Sequence, residues 1–209
     1  MSMKQTIPCM ILISGMTIMA LLLAGCGTSP PAKFYTLTPV TAQRPAEKVV
    51  DTEKNMPVAI GPIEIPEYLD RPEIVTRAEQ NQLILSEYNL WGGALKTDVN
   101  RVLIENISTL LAWDGIPIIT WKAAVAEVHK VPVLISRFDG SLNDSIVLKA
   151  TWAVIEKEGK AFEYFRETNI MVPVKGSSYS SVVAAMSEAL GELSKEIAAG
   201  IKSVVKKQN

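Results

Sequence analysis

The tetrapeptide Leu23-Ala24-Gly25-Cys26 decides how much of this 209-residue chain has to fold. It follows an apolar run from Ile7 to Leu23, and Lys4 is the only charged residue before it. A basic start, an apolar stretch and small residues before a cut are the layout of an export signal. The run is about 17 residues, the lower edge for a spanning helix, and Pro8, Ser14, Gly15 and Thr17 weaken it further. A removable leader therefore fits better than a permanent anchor. With Cys26 at its end the pattern is a bacterial lipobox. The thiol takes a diacylglyceryl group as a thioether, Ala24 and Gly25 leave the peptidase room at the bond before Cys26, and the freed amino group takes a further acyl chain. Residues 1–25 are expected to be removed, and 26–33 to remain as a short tether.

That partition limits the rest of the chain. The only other thiol, Cys9, lies in the leader, so residues 26–209 can form no internal disulfide and carry no cysteine nucleophile. The remaining 184 residues are enough for a core that holds without a staple. The whole chain has a formal charge of −1, and loss of Lys4 takes it to −2. Such a balance does not suit nucleic acid, whose binding needs a basic surface to displace counterions. One His and two Cys cannot build a four-ligand zinc or iron–sulfur site, so no metal is expected. Gly27 stands where an Asp would hold a lipoprotein at the inner membrane, which suggests sorting to the outer membrane. The seven residues 27–33, with Pro30 and Pro31, reach at most about 25 Å, so the domain sits close to the bilayer.

From residue 34 onward one domain is expected, to residue 209. Phe34 to Thr38 and Pro57 to Ile65 have strand composition, with Pro62 forcing an edge or a bulge. The runs 74–77 and 83–86 suit a hairpin. Between Trp91 and Leu111 the apolar residues Leu95, Val99, Val102, Ile107 and Leu110 recur at helical spacing. Strands are predicted at 116–121, 131–138, 145–155 and 161–171, with hairpin turns at Asp139-Gly140 and Glu158-Gly159. In the third of these, Ile146, Leu148, Ala150, Trp152 and Val154 share one face. The last segment is the most regular: Val182, Met186, Leu190, Leu193, Ile197, Ile201 and Val204 step by threes and fours. Ser177 or Ser178 can cap its start, while Lys202, Lys206 and Lys207 suit its negative end. The stripe faces a core, or else a partner helix. The fold class expected is α+β, a mostly antiparallel sheet with two long amphipathic helices packed on one face.

Catalytic machinery is not legible. His129 is the only histidine, so no Ser-His-Asp or Cys-His pairing offers itself, and it reads as a plain surface or strand-edge residue. Glu156 and Glu158 stand close together but in a charged turn. Neither a G-x-S-x-G, a P-loop nor an H-E-x-x-H motif occurs. The reading is a non-enzyme with no cofactor beyond the covalent N-acyl and S-diacylglycerol lipid on Cys26.

One stretch is unusual. From Ile63 to Arg77 the chain reads I-E-I-P-E-Y-L-D-R-P-E-I-V-T-R. Pro66 ends a strand, Tyr68 and Leu69 give an apolar tip, and Arg71 before Pro72 is pushed toward extended backbone. Two readings stand: a rigid corner whose Asp70 and Arg71 satisfy nearby groups, or an exposed docking loop made of Tyr68, Leu69, Asp70, Arg71 and Pro72. With the lipobox, the early Phe34-Tyr35-Thr36-Leu37, this Tyr68-Leu69-Asp70-Arg71-Pro72-x-Ile74-Val75-Thr76-Arg77 and Trp91-x-x-x-Leu95, the chain resembles the PqiC (YmbA) family of ABC-type transport auxiliary lipoproteins.

The resemblance implies an outer-membrane-anchored lipoprotein facing the periplasm. It would serve as an accessory of an intermembrane lipid transport system and dock an MCE-domain protein similar to PqiB. A symmetric homo-oligomer would suit a tubular partner. The alternative is a periplasmic lipid-binding carrier with an acyl-chain pocket. A carrier needs more apolar surface than its own core uses.

Overall fold

The computed structural model describes residues 29–40, 56–123 and 128–208, and residues from Ala32 onward form one unit. The leader and lipobox, including Cys26, lie outside the described residues. Eight strands and two helices follow one another: β1 (Lys33–Tyr35), β2 (Val58–Glu64), β3 (Glu73–Glu79), β4 (Gln82–Trp91), α1 (Leu95–Leu111), β5 (Ile118–Thr120), β6 (His129–Gly140), β7 (Ser145–Ile155), β8 (Phe162–Pro173) and α2 (Tyr179–Gln208).

The α+β class and the two helices agree with the sequence reading, but the strands form two mixed sheets, where one mostly antiparallel sheet was expected. The larger has the order β5-β2-β6-β7-β8 and the smaller β1-β4-β3. β6, β7 and β8 are joined by short turns and run antiparallel. β2 is separated from β5 and β6 by a hairpin and α1, a long crossover, and pairs with both in parallel. The predicted hairpin of 74–77 with 83–86 is β3 and β4. Pro62 coincides with a register shift between Ile60 and Ile63, the irregularity that its missing N–H requires.

Both helices pack against the larger sheet and each other. All seven stripe residues of α2 are buried, none more than 4% exposed, so that stripe is core and leaves nothing for a partner helix. Ile146, Leu148, Ala150, Trp152 and Val154 of β7 are buried opposite it, at most 3% exposed. Trp152 donates from its indole N–H to Thr168 (3.1 Å), which donates to Glu196 (2.7 Å), and it stacks on Tyr164 with ring centroids 5.2 Å apart. Ser178 caps α2, its hydroxyl accepting the Ser181 N–H at 3.2 Å.

Two local expectations shift. α1 starts at Leu95 because Trp91 still belongs to β4, its N–H donated to the Pro72 carbonyl at 2.7 Å. Gly140 is inside β6, and the turn after it carries Asn143 at φ +63°. What selects glycine at 140 is space, since a Cβ there would stand 1.9 Å from the Ser145 carbonyl oxygen.

Gly200 on α2 has a comparable role against Trp152. A Cβ at 200 would lie 2.6 Å from Cη2 of that buried ring. Gly200→Ala should gain about 1 kcal/mol of helix propensity but lose about 1–3 kcal/mol to overpacking. The expected result is net destabilisation, read as a lower urea midpoint with an unchanged slope.

Candidate functional site

The 66–72 segment forms a 3-10 turn, Glu67–Leu69, between β2 and β3. Each of its five candidate docking residues is engaged by the fold. Leu69 is 2% exposed and belongs to the core. The Tyr68 hydroxyl donates to Asp139 Oδ2 at 2.6 Å. Asp70 Oδ1 accepts the backbone N–H of Lys96 at 3.4 Å, in the first turn of α1, whose N-cap residue Ala94 has no side-chain oxygen to offer. Arg71 pairs with Glu73 at 2.9 Å, which holds the Glu73 carboxyl below its usual range. The Pro72 carbonyl accepts from Trp91. The corner faces outward at Asp70, Arg71 and Pro72, which with Trp91 to Ala94 line an open groove of about 390 Å³.

Behind the corner lies a buried polar cluster on Asp139. This β6 carboxylate, 1% exposed, accepts two bonds from Arg77 (2.8 Å each), one from Arg137 (3.0 Å) and the one from Tyr68. The Ser141 hydroxyl donates to the Arg77 carbonyl. Arg77 is on β3 and Asp139 on β6, so the cluster ties the two sheets together. Burial pushes the Asp139 carboxyl up, but the bonds from Arg77, Tyr68 and Arg137 outweigh it and leave the pKa lowered. The Tyr68 phenol is pushed up to about 12, first by burial and then by its bond to the Asp139 carboxylate. A register shift between Ile135 and Arg137 aims Asp139 at this corner; without it the alternation of β6 would place the next residue there.

His129 corrects the sequence reading. It is 2% exposed at the start of β6, and its Nδ1 lies 2.9 Å from Glu163 of β8. Its ring is packed against β7 and β8, with Nδ1 also 3.3 Å from the Ile155 carbonyl oxygen. Glu156, from the charged turn, accepts the Lys160 N–H at 3.1 Å. Among the described residues no group of three His, Cys, Asp or Glu stands close enough to hold a metal, and no helix is long and apolar enough to cross a membrane.

The sequence reading missed an exposed apolar groove on the face of the larger sheet away from the helices. Its volume is about 310 Å³ and it crosses four strands, from Pro62 on β2 through Pro132, Leu134 and Ala153 to Phe162 and Phe165 on β8. Leu134, Phe162 and Phe165 are 53%, 66% and 57% exposed. The two phenylalanine rings lie 6.1 Å apart. The signal was present in β8, whose aromatic residues at 162 and 165 do not share the alternation of a single buried face.

The profile of the family described as "ABC-type transport auxiliary lipoprotein component" matches residues 35–198. Among curated proteins nothing matches significantly. Two solved structures share the fold. One, an uncharacterised protein, is 16% identical, with a TM-score of 0.67 over 82% of this chain and 99% of its own. The other, protein XCC0632 from Xanthomonas campestris, of the family DUF330, is 15% identical, with a TM-score of 0.66 over 85% of this chain and all of its own.

Proposed function

The chain belongs to the ABC-type transport auxiliary lipoprotein components, and on that premise we propose that it is a non-catalytic docking accessory of an MCE-type intermembrane lipid transport system. Acyl chains on Cys26 hold it on the periplasmic side of the outer membrane, and a surface of the domain receives an MCE-domain protein similar to PqiB. The observation that carries the reading is the family match across 164 residues, nearly the whole folded part. The cross-braced 66–77 corner supports it. A positional role needs a rigid surface more than a reactive one, and each of the five residues 68–72 is engaged by a named contact.

The carrier alternative asks for an enclosed apolar cavity. The two grooves described here are open to solvent, which favours docking.

The outward residue of the corner gives the test. Arg71 has a side chain 40% exposed and, among the described residues, an ion pair only with its near neighbour Glu73. Arg71→Ala should leave stability within about 0.5 kcal/mol while weakening capture of the partner. A photocrosslinking residue at position 71 in intact cells should capture an MCE-domain protein. Stoichiometric phospholipid in the purified chain, with no such capture, would replace docking by carriage. A symmetric oligomer, seen by sedimentation of the detergent-extracted chain, would fit a tubular partner.

A further inference from the structure

The open face of the larger sheet is built in rows, and the rows have a chemical order. One row crosses four strands in register: Glu64 on β2, Leu134 on β6, Thr151 on β7 and Glu167 on β8. It places a carboxylate at each end and an apolar and a small side chain between. Neither Glu64 nor Glu167 pairs with another side chain among the described residues, and both are exposed. Beside this row lie the apolar residues of the groove, Pro62, Pro132, Ala153 and Phe165. The opposite face of the same sheet is already covered by two helices, whereas this one leaves two phenylalanines and a leucine more than half exposed. Exposed aromatic and aliphatic anchors of this kind mark interaction sites.

Backbone satisfaction and charge together select the occupant. An extended peptide laid across β2, β6 and β7 could not be satisfied there, because each of these strands already has a neighbour on both sides. A helix satisfies its backbone internally and needs only an apolar face to offer. An anionic lipid headgroup, or a membrane surface rich in one, would meet two unpaired carboxylates beside the groove. A cationic flank would instead find partners.

We infer that this face seats an amphipathic helix of the partner protein, with its apolar side on Leu134 and Phe165 and basic residues reaching Glu64 and Glu167. This rests on the docking reading and adds to it a surface and a partner chemistry. The two carboxylates are about 14 Å apart, three strand spacings, so their partners would lie about three turns apart on one flank of the helix.

The test uses the full chain purified from membranes and reconstituted in phosphatidylcholine nanodiscs. The probe is a fluorescent 18-residue helical peptide with a leucine face and two lysines eleven positions apart on one flank. A control peptide has glutamates in place of the lysines. The lysine peptide should bind at least tenfold more tightly than the control, with an affinity that falls as salt rises. Phe165→Asp should weaken it at least tenfold. The paired isosteric change Glu64→Gln with Glu167→Gln, which touches no packed atom, should also weaken it and flatten its salt dependence. Equal binding of the two peptides, or indifference to all three substitutions, overturns the inference. So does a wild-type chain that dimerises through this face until Phe165→Asp makes it monomeric, or one that ignores both peptides and adheres to phosphatidylglycerol vesicles through Phe165. If position 71 captures an MCE-domain protein in cells while the peptide fails here, docking stands and this surface falls.

Discussion

Cys26→Ser is expected to leave the chain at its full 209 residues and in the inner membrane, where the parent chain is expected to lose 25 residues, gain lipid and move outward. The reason is chemical. A serine hydroxyl cannot form the thioether that the lipoprotein peptidase requires before cutting ahead of residue 26. The uncut apolar run from Ile7 to Leu23 then keeps its hold on the membrane it was inserted into. In the parent chain the anchor changes kind. Each buried methylene of an acyl chain contributes about 0.8 kcal/mol, one chain alone gives only marginal binding, and two or more give stable attachment. Intact mass spectrometry reads the outcome directly, and fractionation of inner and outer membranes reads the location. A parent chain that keeps residues 1–25, or a Cys26→Ser chain that appears cut and lipid-free, would end the lipobox reading. The same mass also decides whether the amino group of Cys26 carries a third chain.

What the sequence made legible was local and periodic. The α2 stripe and the β7 alternation both specify which side of an element is apolar, and every residue named from them is buried. Such patterns say nothing about which strand lies beside which. The parallel pairing of β2 with β6 joins residues about 70 positions apart, and no period connects them. His129 shows the same limit. A lone histidine before an apolar run reads as a strand edge, and its burial comes from β7 and β8, which bring Ile155 and Glu163 against its ring.

The candidate site was half legible for a related reason. Pro66 and Pro72 announced a rigid corner, and the rigid reading is the one whose contacts are now visible. The carboxylate on which the corner is braced is 71 positions beyond Tyr68 and is aimed by an irregularity in β6 that leaves no mark in composition. The sheet-face groove was hidden for the opposite reason. A phenylalanine on an uncovered face looks in sequence like one in the core.

Asp139→Ala should lower stability by about 3–5 kcal/mol, as removal of one partner from a buried charge cluster does. Four hydrogen bonds end on this carboxylate: two from Arg77, one from Arg137 and one from Tyr68. Its removal leaves the Arg77 guanidinium, whose side chain is only 20% exposed, facing a void between the sheets. Against a typical total of about 5–15 kcal/mol, that loss is a large share. Asp139→Asn keeps an acceptor but not the charge and should fall between the two. The sign of the pH dependence follows from the lowered pKa. A carboxylate whose folded pKa is depressed adds stability above its unfolded pKa of about 3.9, and the contribution is lost as pH falls through the folded value. Stability of the parent chain should therefore drop below about pH 4, and Asp139→Asn should flatten that acid limb. Tyr68 gives the mirror case. Its pKa, raised to about 12, adds stability fully present below the unfolded value near 10 and lost as pH climbs toward 12. Tyr68→Phe should remove that alkaline limb and, because Phe leaves one Asp139 oxygen with one donor fewer, cost less than Asp139→Ala. Urea unfolding of the three variants at pH 3, 7 and 11 separates these outcomes. A parent chain whose midpoint is the same at pH 3 and pH 7, or an Asp139→Ala variant as stable as Arg71→Ala, would show that the two sheets are held together by apolar packing alone.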